Sequence, residues 1–207
     1  MNADDLVETV RTENNTALSR LGSSKTLFAD TEGDLDEEPV LVAAATHLSR
    51  AADVLDDWAE GAGGDLAAVF GDAADVAATH ADEIAERVDD FDPGDPPAVV
   101  STLAATEGDL ERAGGLLGWL LVLDQKTTQL TGYFTGQADP RTASVFRGFG
   151  DDYDDLQAAV GEALDARCDD EADWATARDA AAGAVQTAYE AYVDTLESLG
   201  VNPKPVC

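Results

Sequence analysis

The feature that most constrains the fold is an uninterrupted apolar run, Leu116 to Leu123, in a chain otherwise rich in acidic residues. A helix that is apolar on all sides is a buried helix. The run is about half the roughly 20 residues that span a bilayer, and Asp124 follows it directly. We therefore expect Ala113 to Phe134 to form the central helix of a soluble helical bundle.

The charge of the chain is one-sided, with 43 Asp and Glu against 12 Lys and Arg and a formal net charge of -31. Because 44% of the residues are hydrophobic, the chain can bury a core, and the acidic residues belong on a folded surface. Repulsion among them would destabilise the compact state in dilute buffer, whereas at 1 M salt the screening length is only about 3 Å. The composition favours adaptation to a cytoplasm with molar salt.

The distribution of charge bears on possible partners. Apart from the short Ala98 to Ala105, every predicted helix carries acidic residues, which favours halophilic adaptation over a mimic of nucleic acid or a binder of a basic partner. No basic stripe is present to neutralise phosphates, so the sequence disfavours nucleic-acid binding. The opening residues, Met1 to Asp5, are acidic rather than apolar, and we expect a cytoplasmic protein without a secretory signal or membrane anchor.

The two cysteines, Cys168 and Cys207, are too few for a disulfide framework. The sequence is compatible with two ordinary thiols, and it is also compatible with a disulfide between Cys168 and Cys207.

Glycine and proline divide the chain into helices, and no alternating β-type pattern occurs. We predict one domain, residues 1–207, with an N-terminal helix and connector (1–33), a bundle (34–167) and a C-terminal helix (171–199). The predicted helices are Asp4 to Leu21, Asp34 to Ala62, Asp65 to Phe91, Ala98 to Ala105, the central helix, Pro140 to Arg167, and the C-terminal helix. The short glycine turn after Ala62 predicts an antiparallel hairpin.

One pair of residues has the spacing of metal ligands. A di-iron bundle takes Glu from two helices and Glu-x-x-His from two others. This chain contains only the reversed spacing, His80-x-x-Glu83, which places both side chains on one helical face. His80 and Glu83 are therefore candidate ligands for iron or another divalent metal. The alternative is a core histidine beside a solvated glutamate, and the neighbouring helix offers Leu48, with His47 beside it.

Two further features lie in the central helix. Gly114 and Gly118 could admit a flat ligand such as haem, or they could allow close contact with another helix. The polar residues Asp124, Gln125, Thr127 and Thr128 indicate either an internal polar pocket or a helix that reaches the surface. No P-loop, dinucleotide or nucleophile-elbow fingerprint is present.

Several segments resemble a known family. They are Leu21 to Lys25, Ala43 to Ala45 in a helix that ends at Trp58-Ala59, Ala166 to Cys168 before Trp174, and Gly200 to Cys207. Together they resemble haloarchaeal proteins labelled rubrerythrin-like or ferritin-like. The resemblance implies an antiparallel ferritin-like four-helix bundle. In rubrerythrins the second bundle helix carries Glu-x-x-His; here His80 and Glu83 stand at that place with the residue types exchanged, and the fourth helix has no histidine.

The sequence thus predicts an all-α protein, an antiparallel ferritin-like four-helix bundle with extra N- and C-terminal helices. The favoured function is that of a non-catalytic structural or interaction protein without a cofactor or a working di-iron site. It would act through an unknown protein partner or by self-association. The alternatives are a rubrerythrin-like di-metal oxidoreductase with altered ligands and a small-ligand or haem-binding protein.

Overall fold

The computed structural model of this protein describes residues 1–204, and within them every regular element is an α-helix. The all-α prediction is therefore confirmed. In chain order the helices are α1 (Ala3–Glu13), α2 (Asn15–Leu21), α3 (Lys25–Asp30), α4 (Glu37–Gly61), α5 (Asp65–Ala85), α6 (Ala98–Ala104), α7 (Asp109–Gly136), α8 (Pro140–Arg167) and α9 (Glu171–Ser198).

Side-chain caps fix the starts of the two C-terminal helices. Before α8, the Asp139 carboxylate accepts hydrogen bonds from the backbone N–H groups of Arg141 and Thr142, at 3.1 and 3.2 Å. Asp170 caps α9 in the same way. These bonds satisfy N–H groups that have no partner within the helix, and Pro140 occupies a first-turn position where its missing N–H costs nothing. The predicted bounds of α8 are confirmed.

The N-terminal third differs from the sequence prediction. The single predicted helix from Asp4 to Leu21 is wrong, because the chain breaks at Asn14 into α1 and α2. The buried Asn14 side chain donates to the Val10 carbonyl and accepts a hydrogen bond from Gln186 of α9. The predicted connector contains α3, and α5 ends at Ala85, earlier than predicted.

The helices pack around α7. Short turns join α4 to α5 and α7 to α8 as antiparallel neighbours, and α5 lies beside α8. Helix α7 packs against both α8 and α9. The last helix, which the sequence predicts as an extra helix beyond the four-helix bundle, shares the core, with residues such as Val185 and Leu196 fully buried. The predicted buried centre of α7 is confirmed, since Leu116 to Leu123 are all buried.

The contact between α7 and α9 depends on glycine. A Cβ added to Gly114 or Gly118 would collide with the backbone of Ala177 or Ala181, respectively, on α9. Of the two interpretations of the glycine pair, close helix contact is confirmed.

The acidic surface of α8 is arranged as its period predicts. Asp151 and Asp155 are exposed, whereas Phe149 and Leu156 are buried. Helix α8 therefore faces the core with its apolar stripe.

Basic side chains hold several of the connections between helices. Arg167 donates to the Gly63 carbonyl in the turn after α4, at 2.6 Å. Arg50 donates to the carbonyls of Pro93 and Gly94, at 2.9 and 2.8 Å. Two more follow the same pattern: Arg112 with Thr106, and Lys25 with Asn202 and Lys204. In each case a cation binds backbone oxygens that no helix satisfies.

Candidate functional site

A half-open cavity of about 550 Å³ lies where α4, α7, α8 and α9 meet, and residues of α3 and α6 complete its wall. This volume falls within the range of small-molecule sites, about 300 to 1,000 Å³. Most of the wall is apolar: Leu27, Val40, Leu48, Val99, Leu123, Leu130, Phe146 and Phe149. Its polar side chains include Thr46, His47, Lys126, Thr127, Tyr153 and Tyr192. We refer to it below as the cavity.

His47 lies on the cavity wall and is 5% exposed. The indole N–H of Trp119, on α7, donates to His47 Nε2 at 2.9 Å. Nε2 must therefore present a lone pair, and in a neutral imidazole the proton then resides on Nδ1. Burial, with a smaller effect from the positive charge of Lys126, lowers the pKa of His47 to about 3. The ring is neutral at physiological pH, with Nδ1 as an N–H donor.

A chain of hydrogen bonds connects the cavity to the surface of α8. The hydroxyl of Tyr153, on the cavity wall, lies 3.3 Å from His80 Nδ1, and His80 Nε2 lies 2.9 Å from Asp152 Oδ2. The imidazole also stacks on Phe149, with ring centroids 3.6 Å apart. Burial lowers the pKa of His80, opposed by the bond to Asp152, and burial raises the pKa of Tyr153. The neutral arrangement has His80 Nε2–H donating to Asp152 and Tyr153 donating to Nδ1.

The outer part of the wall carries charged side chains. Lys126 Nζ lies 2.6 Å from both carboxylate oxygens of Asp30 on α3. The Lys126 side chain is only 12% exposed, so this ion pair is largely shielded from solvent. Glu32 and Asp95 also line the cavity. The lysine charge is therefore already matched by a carboxylate within the protein.

The two candidate metal ligands, His80 and Glu83, have different surroundings in the structure. His80 is buried on the apolar face of α5, as the sequence predicts. The Glu83 side chain is 42% exposed and forms an ion pair with Arg87 at 3.7 Å. Within residues 1–204, no cluster of three or more His, Cys, Asp or Glu side chains is arranged to hold a metal ion. A metal site at His80 and Glu83 stays a prediction.

The polar break in α7 has a mixed outcome. Thr127 is buried and lines the cavity, as does Lys126, whereas Thr128 is exposed. Both interpretations of the break thus apply to part of it: one side of the helix reaches the surface and the other borders an internal space.

Sequence reasoning missed His47 as a site residue. Thr46, His47 and Leu48 are three consecutive buried residues on α4. One apolar stripe cannot bury three neighbours, so α4 must be covered on more than one side. The signal in the sequence is the polar pair Thr46 and His47, directly before Leu48 of the apolar face of α4. This pair does not identify Trp119 as the partner of His47.

The Cys168 thiol is not arranged as a reactive nucleophile. Cys168 is half-buried at the end of α8, and burial together with four nearby aspartates, Asp173 foremost, raises the pKa of its thiol to about 11. A raised pKa keeps the thiol protonated and poorly nucleophilic. Cys207 lies outside the described residues.

No family model, curated protein or solved structure matches this chain. In the part of the chain that the structure describes, no helix is both long enough and apolar enough to cross a bilayer. The geometry of the cavity is the basis for assigning a function.

Proposed function

We propose that this protein is a non-catalytic helical bundle that binds a small molecule in the cavity. The observation that carries the proposal is the cavity itself, an apolar space of about 550 Å³ bordered by the buried, neutral His47. Small-molecule sites are typically mostly apolar spaces of this size with few convergent polar groups.

Binding is favoured over catalysis by the state of the polar groups on the wall. A general acid or base works best with a pKa near the operating pH. The pKa of His47 is lowered to about 3, and burial raises that of Tyr153, so both side chains keep one protonation state through the neutral range. Lys126 is held by Asp30. These groups can orient a ligand without transferring a proton to it.

We further propose that the bundle is ferritin-like, that it comes from a haloarchaeon, and that it acts in a cytoplasm with molar salt. The resemblance in the sequence supports the first point, together with the two antiparallel hairpins α4–α5 and α7–α8. The net charge of -31 supports the other two.

The proposal can be tested with 1-aminoanthracene, a small neutral dye that fluoresces strongly in apolar sites. In molar KCl we expect saturable fluorescence enhancement with one dye per chain. Ala44→Leu and Ala191→Leu, which fill the cavity wall from α4 and α9, should weaken binding. Ala78→Leu, on the exposed face of α5, is the matched control and should bind like the wild type. Equal binding by all four proteins would place the dye elsewhere and contradict the proposal.

A further inference from the structure

We infer that the cavity takes a neutral, largely apolar molecule that carries a hydrogen-bond acceptor, such as a carbonyl oxygen, and that His47 Nδ1–H donates to this acceptor. The inference rests on the proposed small-molecule site and names the chemical class of its ligand. The wall carries an imidazole N–H group, at His47 Nδ1, for which residues 1–204 provide no acceptor.

The donor at His47 is defined by its neighbour. Trp119 N–H occupies Nε2, so the imidazole proton is on Nδ1. Nδ1 forms no hydrogen bond with any residue from 1 to 204, although His47 as a whole is only 5% exposed. Among residues 1–204, every side-chain nitrogen or oxygen that is fully shielded from solvent has a hydrogen-bond partner. Because Nδ1 has none, it is not fully shielded, and we infer that it contacts the space of the cavity. In the free protein this N–H group faces the cavity without an acceptor from residues 1–204, and a ligand oxygen would provide one.

The two tyrosines and the lysine of the wall already have partners. Tyr153 is hydrogen-bonded to His80, and Tyr192 lies within hydrogen-bond distance of Ser23 and of the Pro203 carbonyl. Lys126 is paired with Asp30 through both carboxylate oxygens. A ligand with many polar groups would leave most of them unpaired, and burying an unpaired polar group is unfavourable. The complement to this wall is a molecule with an apolar body.

The ion pair between Lys126 and Asp30 disfavours an anionic ligand. A buried carboxylate needs a cation, and to use Lys126 it would have to displace Asp30 from a contact of 2.6 Å. A cationic ligand could pair with the carboxylates of Glu32 or Asp95, but it could not accept a hydrogen bond from His47. A neutral acceptor is the form that satisfies the buried donor without leaving a charge unpaired.

Three naphthalenes that differ only in the substituent at position 2 separate these possibilities: 2-acetylnaphthalene, 2-ethylnaphthalene and 2-naphthoate. Equilibrium dialysis against wild-type protein in molar KCl gives the affinity of each. We expect the ketone to bind roughly 2- to 10-fold more tightly than the ethyl compound, which is the gain from one net hydrogen bond. The naphthoate should bind more weakly than either neutral probe.

Nitrogen-15 NMR locates the bond without changing the protein. The chain has only two histidines, so His80 provides an internal reference. The ketone should shift the His47 Nδ1–H resonance more than the ethyl compound does, and neither should shift His80 comparably. A variant check uses the double substitution His47→Phe and Trp119→Phe, which removes both partners together and leaves no orphaned indole N–H. It should bind ketone and ethyl compound equally.

The outcomes separate the two proposals. If both neutral probes bind equally to the wild type and His47 Nδ1 does not respond to the ketone, the inference about the ligand is wrong while the small-molecule site stands. Tighter binding of the naphthoate would also overturn the inference. If none of the three probes binds, the small-molecule site is refuted for molecules of this size, and the inference falls with it.

Discussion

The substitution Gly118→Ala tests the packing of α7 against α9. The added Cβ would lie 2.8 Å from Ala181 Cα and closer still to the Ala181 carbonyl oxygen. An ordinary contact needs at least 3.4 Å, and both neighbours are backbone atoms that cannot rotate away. To accommodate one methyl group, α9 must move as a body away from α7.

The expected magnitude follows from two opposing effects. Alanine is favoured over glycine within a helix by about 1 kcal/mol. Overpacking a core costs about 1 to 3 kcal/mol, and a backbone collision falls at the upper end of that range. Gly118→Ala should therefore lower the free energy of unfolding by about 2 kcal/mol. The matched control is Gly132→Ala on the same helix, where an added Cβ meets nothing within 4 Å; it should raise the free energy of unfolding by about 1 kcal/mol.

Urea unfolding of the two variants in molar KCl, followed by circular dichroism, gives both free energies by linear extrapolation. The changes in the free energy of unfolding should have opposite signs in the two variants and differ by about 3 kcal/mol. If Gly118→Ala is as stable as Gly132→Ala, α7 and α9 are not in backbone contact, and the packing described here is incorrect.

Three further predictions concern salt, acid and metal. Melting temperature should rise steeply with added KCl, because molar salt screens repulsion within a chain of net charge -31; equal melting temperatures in dilute buffer and molar KCl would refute halophilic adaptation. Since the pKa of His47 is about 3 in the folded protein against an ordinary 6.5, the unfolded chain takes up a proton first as pH falls. Stability should therefore decrease from pH 6.5 towards 3, by about 1.4 kcal/mol per pH unit for this residue, and urea titrations of the His47→Phe, Trp119→Phe double variant should lack that component. Elemental analysis of protein purified without chelator should find no stoichiometric iron, manganese or zinc, because both ring nitrogens of His80 are engaged and Glu83 pairs with Arg87; stoichiometric metal that disappears in His80→Ala would contradict this.

Local signals in the sequence predicted much of the helical architecture. Asp139-Pro140 defined the start of α8 because capping and the restricted backbone of proline act between neighbours in the chain. The break at Asn14 was missed because its side chain is held by Gln186, whose position only the tertiary fold determines. A polar residue within a helical pattern gives no sign that the helix stops there.

The site was less predictable than the helices. The period of α5 placed His80 on the apolar face, but its partner Asp152 lies on the face of α8 that periodicity assigns to solvent. The bond between His47 and Trp119 joins residues 72 apart in the chain, and it depends on how α4 crosses α7. Sequence pattern shows which face of each helix is buried, whereas the cavity results from how several such faces meet.

The basic side chains that bind connecting segments affect how this protein tolerates changes in ionic strength. Molar salt weakens the attraction between exposed opposite charges, so an ion pair on the surface contributes little there. Arg50 and Arg167 form ion pairs with Asp53 and Asp109, but they also donate to uncharged carbonyl oxygens, at 2.8 and 2.6 Å, and such short-range bonds depend less on ionic strength. A chain with only 12 basic residues can thus keep its turns closed at salt concentrations that would loosen turns held by ion pairs alone.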